Sequence, residues 1–160
     1  MAERTTATRV VYVDDDPNEQ LLFQEAVEIA NLPFEIQGLT SFGSAVAYLS
    51  GSGAFSDRTH FPAPGLIVLD YNLEDKTGAD LVRWVRTQPE LSTVPVVMYT
   101  GEPSAERISD CYACGANHFF AKPLELPRVL AILQELYELV SSQPASTETL
   151  RRVPEYCPRP

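Results

Sequence analysis

Five polar residues, Asp14, Asp15, Asp70, Thr100 and Lys122, each stand at or just past the end of an apolar run. The runs are Val10-Val11-Tyr12-Val13, Leu66-Ile67-Val68-Leu69, Val96-Val97-Met98-Tyr99 and His118-Phe119-Phe120-Ala121. Short, nearly continuous apolar runs of this kind read as strands covered on both faces, so the polar residues fall at strand carboxyl ends. Three carboxylates have no structural reason to meet there: two like charges ~4 Å apart, at an effective dielectric of ~20, repel by roughly 4 kcal/mol. A divalent cation and a phosphoryl group would resolve that repulsion. Mg²⁺ suits such a site, because it takes one or two carboxylates plus phosphate oxygens and keeps several waters. Lys122 then supplies a point charge and Thr100 a hydroxyl donor.

The elements that must carry these residues alternate along the chain. Asp16 reads as a helix N-cap, with Pro17 at the first helical position and Glu19 closing a capping box; Leu22, Ala26 and Ile29 mark one face of that helix. Its capping role sets Asp16 apart from Asp14 and Asp15. Phe34 to Leu39 alternates with period two, as an edge or half-covered strand does. Ser41 caps a helix ending near Ser50, and Thr77 caps one whose stripe is Leu81, Trp84 and Val85. A helix over Pro103 to Cys114 has a thin stripe (Ala105, Ile108, Cys111, Tyr112), which predicts weak anchoring. The last helix, Leu126 to Val140, is strongly patterned by Val129, Ile132, Leu133, Leu136 and Val140. Gly51 to Gly65 reads as a long surface connection, either a partner-contact loop or a tolerated insertion, and His60 within it is assigned no chemistry.

Five strands and five helices in alternation predict an α/β fold: a doubly wound five-stranded parallel sheet, flavodoxin-like, of order 2-1-3-4-5 with right-handed crossovers. At 160 residues one core is expected. The organisation reads as a flexible leader over 1–8, a domain over 9–140, and a tail over 141–160, mobile or partner-contacting, with Ser, Thr and proline. Net charge is -10, with 12 Lys+Arg against 22 Asp+Glu, which argues against nucleic acid or an anionic membrane as the main partner. Three cysteines and no signal peptide point to a cytoplasmic protein without a disulfide framework. Cys111 and Cys114 form a Cys-x-x-Cys without a second ligand pair, inside a helix ending at Gly115, and read as packing residues.

The order acidic pair, single Asp, Thr, Lys resembles the receiver domain of two-component response regulators, over about Arg9 to Val140. The resemblance implies that Asp70 accepts a phosphoryl group from the histidine of a sensor kinase. It implies that Asp14, Asp15, Asp70 and the backbone carbonyl of Asn72 hold Mg²⁺ or Mn²⁺, with Asp14 acting through a coordinated water. Thr100 and Lys122 would contact the phosphoryl oxygens, Phe119 would be an aromatic switch beside Thr100, and the Lys122–Pro123 bond would be cis. Asn72 and Glu102, two residues after Asp70 and Thr100, would tune dephosphorylation. Glu74 and Gly101 depart mildly from the family pattern without removing a phosphorylation group.

The run Leu69 to Leu73, and Gly115-Ala116-Asn117 paired with Lys122-Pro123, are similar to small stand-alone receivers served by phytochrome-type kinases. A histidine phosphotransfer protein and a homodimer are further partners that the resemblance allows. Two competing readings are a Mg²⁺-dependent phosphohydrolase and a phosphorylation-independent adaptor. Asn72 stands where the hydrolase would carry a second acid, and the complete set of Asp, Thr and Lys argues against the adaptor.

Overall fold

The computed structural model describes residues 7–141. Five parallel strands, β1 (Thr8–Val13), β2 (Phe34–Leu39), β3 (Leu66–Leu69), β4 (Val96–Thr100) and β5 (His118–Ala121), form one sheet in the order β2-β1-β3-β4-β5. Between and after them run α1 (Pro17–Ala30), α2 (Phe42–Ser50), α3 (Gly78–Thr87), α4 (Ala105–Cys114) and α5 (Leu126–Ser141). The expected doubly wound, flavodoxin-like order is therefore present.

Strand parity divides the interior into two layers. Val10, Tyr12, Leu66, Val68, Val97, Tyr99 and Phe120 pack with Phe23, Ala26 and Val27 of α1 and Ile132, Leu133 and Leu136 of α5. Their neighbours Val11, Val13, Ile67, Leu69, Val96, Met98 and Phe119 pack with α2, α3 and Cys111 of α4. A side chain buried in this way contributes roughly 1.5–3 kcal/mol, which is why β3, buried at all four positions, reads as a pure apolar run.

Helix starts follow their side chains. Asp16, Ser41, Thr77 and Ser104 cap α1, α2, α3 and α4 through their side-chain oxygens. Gly51 and Gly115 close α2 and α4 in the left-handed region, where a Cβ is penalised. Only Cys111 of α4 is fully buried, in agreement with its thin stripe.

Several local expectations are corrected. Thr8 opens β1 and donates its N–H to the Pro33 carbonyl at 2.8 Å, so the proposed leader is shorter by that residue. The rest of the leader up to residue 6, and the tail after Ser141, lie outside the described residues. Glu19 turns from the capping box toward Lys122, 3.7 Å away, because that ammonium offers it a charge and the N-cap does not. On α1 the buried residues are Phe23, Ala26 and Val27, whereas Leu22 and Ile29 are exposed. Adjacent Leu21, Leu22 and Phe23 fit several helical faces, and stacking of Phe23 on Tyr12, at 4.2 Å between centroids, selects one.

The connection from α2 to β3 is packed. Phe55 and Phe61 meet Tyr48 edge to face, and Arg58 donates to the carbonyls of Tyr48, Leu49 and Phe61 at 2.8, 3.0 and 2.9 Å. The bonds to Tyr48 and Leu49 reach carbonyls in the last turn of α2, and the bond to Phe61 ties the connection to that helix end.

Candidate functional site

Asp14, Asp15, Asp70, Asn72, Thr100, Glu102 and Lys122 line one cleft of about 260 Å³ at the carboxyl ends of β1, β3, β4 and β5. Asp14, Asp15 and Asp70 each present an oxygen within 4.8 Å of the others, a hard donor set of the kind that holds a divalent cation.

The three carboxylates are not equivalent. Asp14 is fully buried, and its oxygens are already engaged: Oδ1 accepts the Asp16 N–H at 3.0 Å, while Oδ2 accepts the Tyr12 hydroxyl at 3.1 Å and the Lys122 ammonium at 2.6 Å. Asp70 Oδ1 accepts the Tyr71 N–H at 2.7 Å, and its Oδ2 faces Lys122 at 3.4 Å. Asp15 is exposed at the rim. Loss of solvent, then the charges of Asp14 and Asp70, raise its pKa above the ordinary carboxylate value.

Lys122 is the counter-charge. Its side chain is 11% exposed and reaches Asp14, Asp70 and Glu19. Burial alone would lower its pKa, but the hydrogen bond to Asp14 and the fields of Asp70, Asp14 and Glu19 prevail and raise it. The Tyr99 ring lies 5.9 Å below the ammonium. The described chain contains no cis peptide, so the expected cis Lys122–Pro123 bond is corrected to trans. The ammonium is aimed without it: the Lys122 N–H donates to the Thr100 carbonyl at 2.8 Å, extending the β4–β5 ladder by one residue. Trans is also the lower state of an X–Pro bond by ~0.5–1 kcal/mol.

Thr100 is buried at the end of β4, and its Oγ1 accepts the Glu102 N–H at 3.4 Å. Phe119 is fully buried in the layer shared with α3 and α4 and pairs with Met98 in the sheet register. Asn72 and Glu102 are exposed at the cleft, and Glu102 leans toward Arg107 of α4 at 3.5 Å. The Cys-x-x-Cys carries no metal cluster among the described residues: both thiols are free, and burial pushes that of Cys111 up to about 12.

Residues outside the sequence expectation build the frame. Gln20 Nε2 donates to the carbonyls of Tyr12, Asp14 and Leu39 at 3.3, 3.0 and 2.9 Å, pinning the loop that carries the acids. Gly78 lies so close beneath the Asp70 carbonyl that a Cβ there would collide with it. Asp75 accepts the N–H groups of Phe42 and Gly43 at 2.8 and 3.1 Å and ties the loop after Asp70 to α2. Asn117 Oδ1 accepts from the Val96 N–H and from Arg86 at 2.8 and 2.7 Å, setting β5 beside β4.

Residues 10–134 match the family model of the response regulator receiver domain. Response regulator Rcp1 of Synechocystis sp. is 25% identical over 135 residues, which cover 84% of this chain and 90% of that protein. Two-component response regulator ORR1 of Oryza sativa subsp. japonica is 25% identical over 143 residues, covering 88% of this chain but only 57% of the rice protein. Among solved structures, that of the phosphorylated cyanobacterial phytochrome response regulator RcpA superposes with a TM-score of 0.75 at 26% identity, over 85% of this chain and 95% of that one. Among the described residues, no helix is long and apolar enough to cross a membrane.

Proposed function

The chain belongs to the response regulator receiver domain family, and from that premise we propose that Asp70 is its phosphoacceptor and that the phosphorylated cleft resets a protein-contact surface. The observation that carries this reading is the convergence of three carboxylates, a buried ammonium and a hydroxyl in one cleft. Asp15 and Asp70, with oxygens not saturated by protein donors, suit direct ligation of Mg²⁺ or Mn²⁺, and the Asn72 backbone carbonyl would complete the protein set. Asp14, whose oxygens are engaged, would act through a water. The bound cation supplies charge neutralisation of the phosphoryl oxygens.

Asp70 Oδ bonds to phosphorus in line while the bond from phosphorus to the donor's imidazole nitrogen breaks, its electron pair staying on that nitrogen; Lys122 and Thr100 hold the equatorial oxygens. Thr100 moves toward the phosphoryl group and vacates space that Phe119 takes, which shifts α4, the most thinly anchored helix. The likeness to RcpA, a phytochrome response regulator, supports a histidine kinase of phytochrome type as donor; transfer through a phosphotransfer protein and a homodimeric output are further parts of the proposal. Residues 142–160 are proposed as a tail that phosphorylation does not require.

The test is incubation with acetyl phosphate and Mg²⁺ followed by intact mass measurement. One phosphoryl adduct is expected, absent in Asp70→Asn. An adduct mapped to Asp14 or Asp15, or none at all, refutes the assignment.

A further inference from the structure

Five contacts form a chain along one side of the cleft, from Asp70 to Thr100. The Tyr71 N–H donates to Asp70 Oδ1 at 2.7 Å, and the Tyr71 ring lies under the Arg107 guanidinium, 4.6 Å from its carbon. Arg107 Nη1 donates to the Glu102 carbonyl at 3.1 Å and approaches the Glu102 carboxylate at 3.5 Å. The Glu102 N–H returns to Thr100 Oγ1 at 3.4 Å. One side chain of α4 thus joins the loop after the phosphoacceptor to the loop after the hydroxyl donor. Arg107 is itself placed by its N–H on the Ser104 cap at 3.2 Å.

A lone ion pair of this exposure would be worth little. Here the guanidinium combines a stacked ring, a main-chain carbonyl and a carboxylate, which suits the planar fork of Arg and gives it a defined orientation. Its consequence falls on Glu102. Glu102 lines the cleft, and its carboxylate is held by Arg107 of α4.

We propose that Arg107 is a positioning residue that sets the lifetime of the phosphoryl group by tethering Glu102; this rests on the reading of Asp70 as phosphoacceptor. In hydrolysis a water oxygen bonds to phosphorus, and the bond from phosphorus to Asp70 Oδ breaks with its electron pair returning to the carboxylate. The water's proton leaves to a phosphate oxygen. A freed Glu102 carboxylate accepts a hydrogen bond from that water and orients it, so release of the tether hastens the step.

The experiment loads the full chain with acetyl phosphate and Mg²⁺, removes the donor, and follows decay of the adduct by intact mass. Arg107→Ala is expected to speed decay by about threefold to tenfold, the worth of one ordinary hydrogen bond. Arg107→Lys, which keeps a cation but loses the planar fork that reaches ring, carbonyl and carboxylate together, is expected to fall between the wild type and Arg107→Ala. Arg107→Ala combined with Glu102→Gln returns toward it. Arg83→Ala, which cuts the neighbouring pairs to Asp80 and Asp110, leaves the rate unchanged. Tyr71→Ala, which removes the platform, moves the rate in the same direction as Arg107→Ala and serves if that variant folds poorly. Decay of Arg107→Ala at or below the wild-type rate, or a double variant as fast as the single, overturns the tether while the adduct itself upholds Asp70. Absence of any adduct on the wild type overturns both.

Discussion

Removing the Lys122 ammonium is the perturbation whose size the geometry best defines. At an effective dielectric of ~20, a charge 2.6 Å from Asp14 and 3.4 Å from Asp70 is attracted by roughly 6 and 5 kcal/mol respectively, before the cost of desolvating it. Glu19, a third exposed, adds little after screening. Breaking a buried pair by deleting one partner costs ~3–5 kcal/mol, because the other charge is left uncompensated. Lys122→Met keeps most of the apolar stem while removing the ammonium, and should therefore lose about 3 kcal/mol without a divalent cation, a large share of a typical ~5–15 kcal/mol. The protein should still fold.

Saturating Mg²⁺ should restore the variant by more than it stabilises the wild type, because a more negative cleft binds the cation more tightly and ligand binding to the native state adds stability. Urea titrations of both proteins with and without Mg²⁺ measure the difference, and Asp14→Asn combined with Lys122→Met should recover most of the loss, since both charges then leave together. The sign with pH is fixed by the raised pKa of Lys122: its contribution is complete below the ordinary 10.5 and is lost as pH rises through the higher folded value. The gap between variant and wild type should thus persist through neutral and mildly alkaline pH. A variant that loses less than ~1 kcal/mol, or gains no extra stabilisation from Mg²⁺, would show that the ammonium is not the counter-charge of this cluster.

Three further outcomes follow from the same cleft. Asp15→Ala should abolish stabilisation by Mg²⁺ while leaving the cation-free protein as stable or slightly more so, since an exposed acid among like charges is relieved; thermal melts with and without Mg²⁺ read this out, and undiminished stabilisation counts against ligation by Asp15. Because burial and the charges of Asp14 and Asp70 raise the Asp15 pKa above 3.8, the folded state holds that proton more tightly than the unfolded chain. Asp15 itself therefore costs stability once ionised, an effect relieved as pH falls through its raised value, whereas Mg²⁺ affinity should decline over that range, at higher pH than an ordinary Asp would set. A Mg²⁺ titration repeated at stepped pH checks the direction. Gly78→Ala should cost about 1–3 kcal/mol by overpacking against the Asp70 carbonyl, with Asp70 displaced; a urea midpoint within error of the wild type would contradict the close approach.

The strand ends were readable because a strand covered on both faces has no polar residue until it emerges, so Asp14, Asp70 and Thr100 announce the sheet edge by contrast. Local capping was readable for the same reason: Asp16, Ser41 and Thr77 act on backbone two or three residues away. What escaped were contacts between distant segments. Gln20 on three carbonyls, Asp75 on the start of α2 and Arg107 across two loops leave no periodic trace, since each is one side chain meeting backbone or ring elsewhere in the chain. The buried face of α1 is not legible in its sequence, because three consecutive apolar residues leave helical phase ambiguous and the Tyr12 ring decides it. The trans Lys122–Pro123 bond shows a different limit: a resemblance supplies an isomer that local hydrogen bonding does not require.

The split of each strand between two layers makes its sequence two interleaved messages, odd positions addressed to one side and even positions to the other. Deleting one residue from β3 or β4 would exchange the addressees of everything after it, so length variation has to accumulate where the chain leaves the sheet. The α2–β3 connection shows how added length is made tolerable. With Tyr48, Phe55 and Phe61 packed together and Arg58 closing the helix end, it carries its own small interior and anchors itself to the frame it lengthens. Growth of the domain at that point asks nothing of the two messages that specify the sheet.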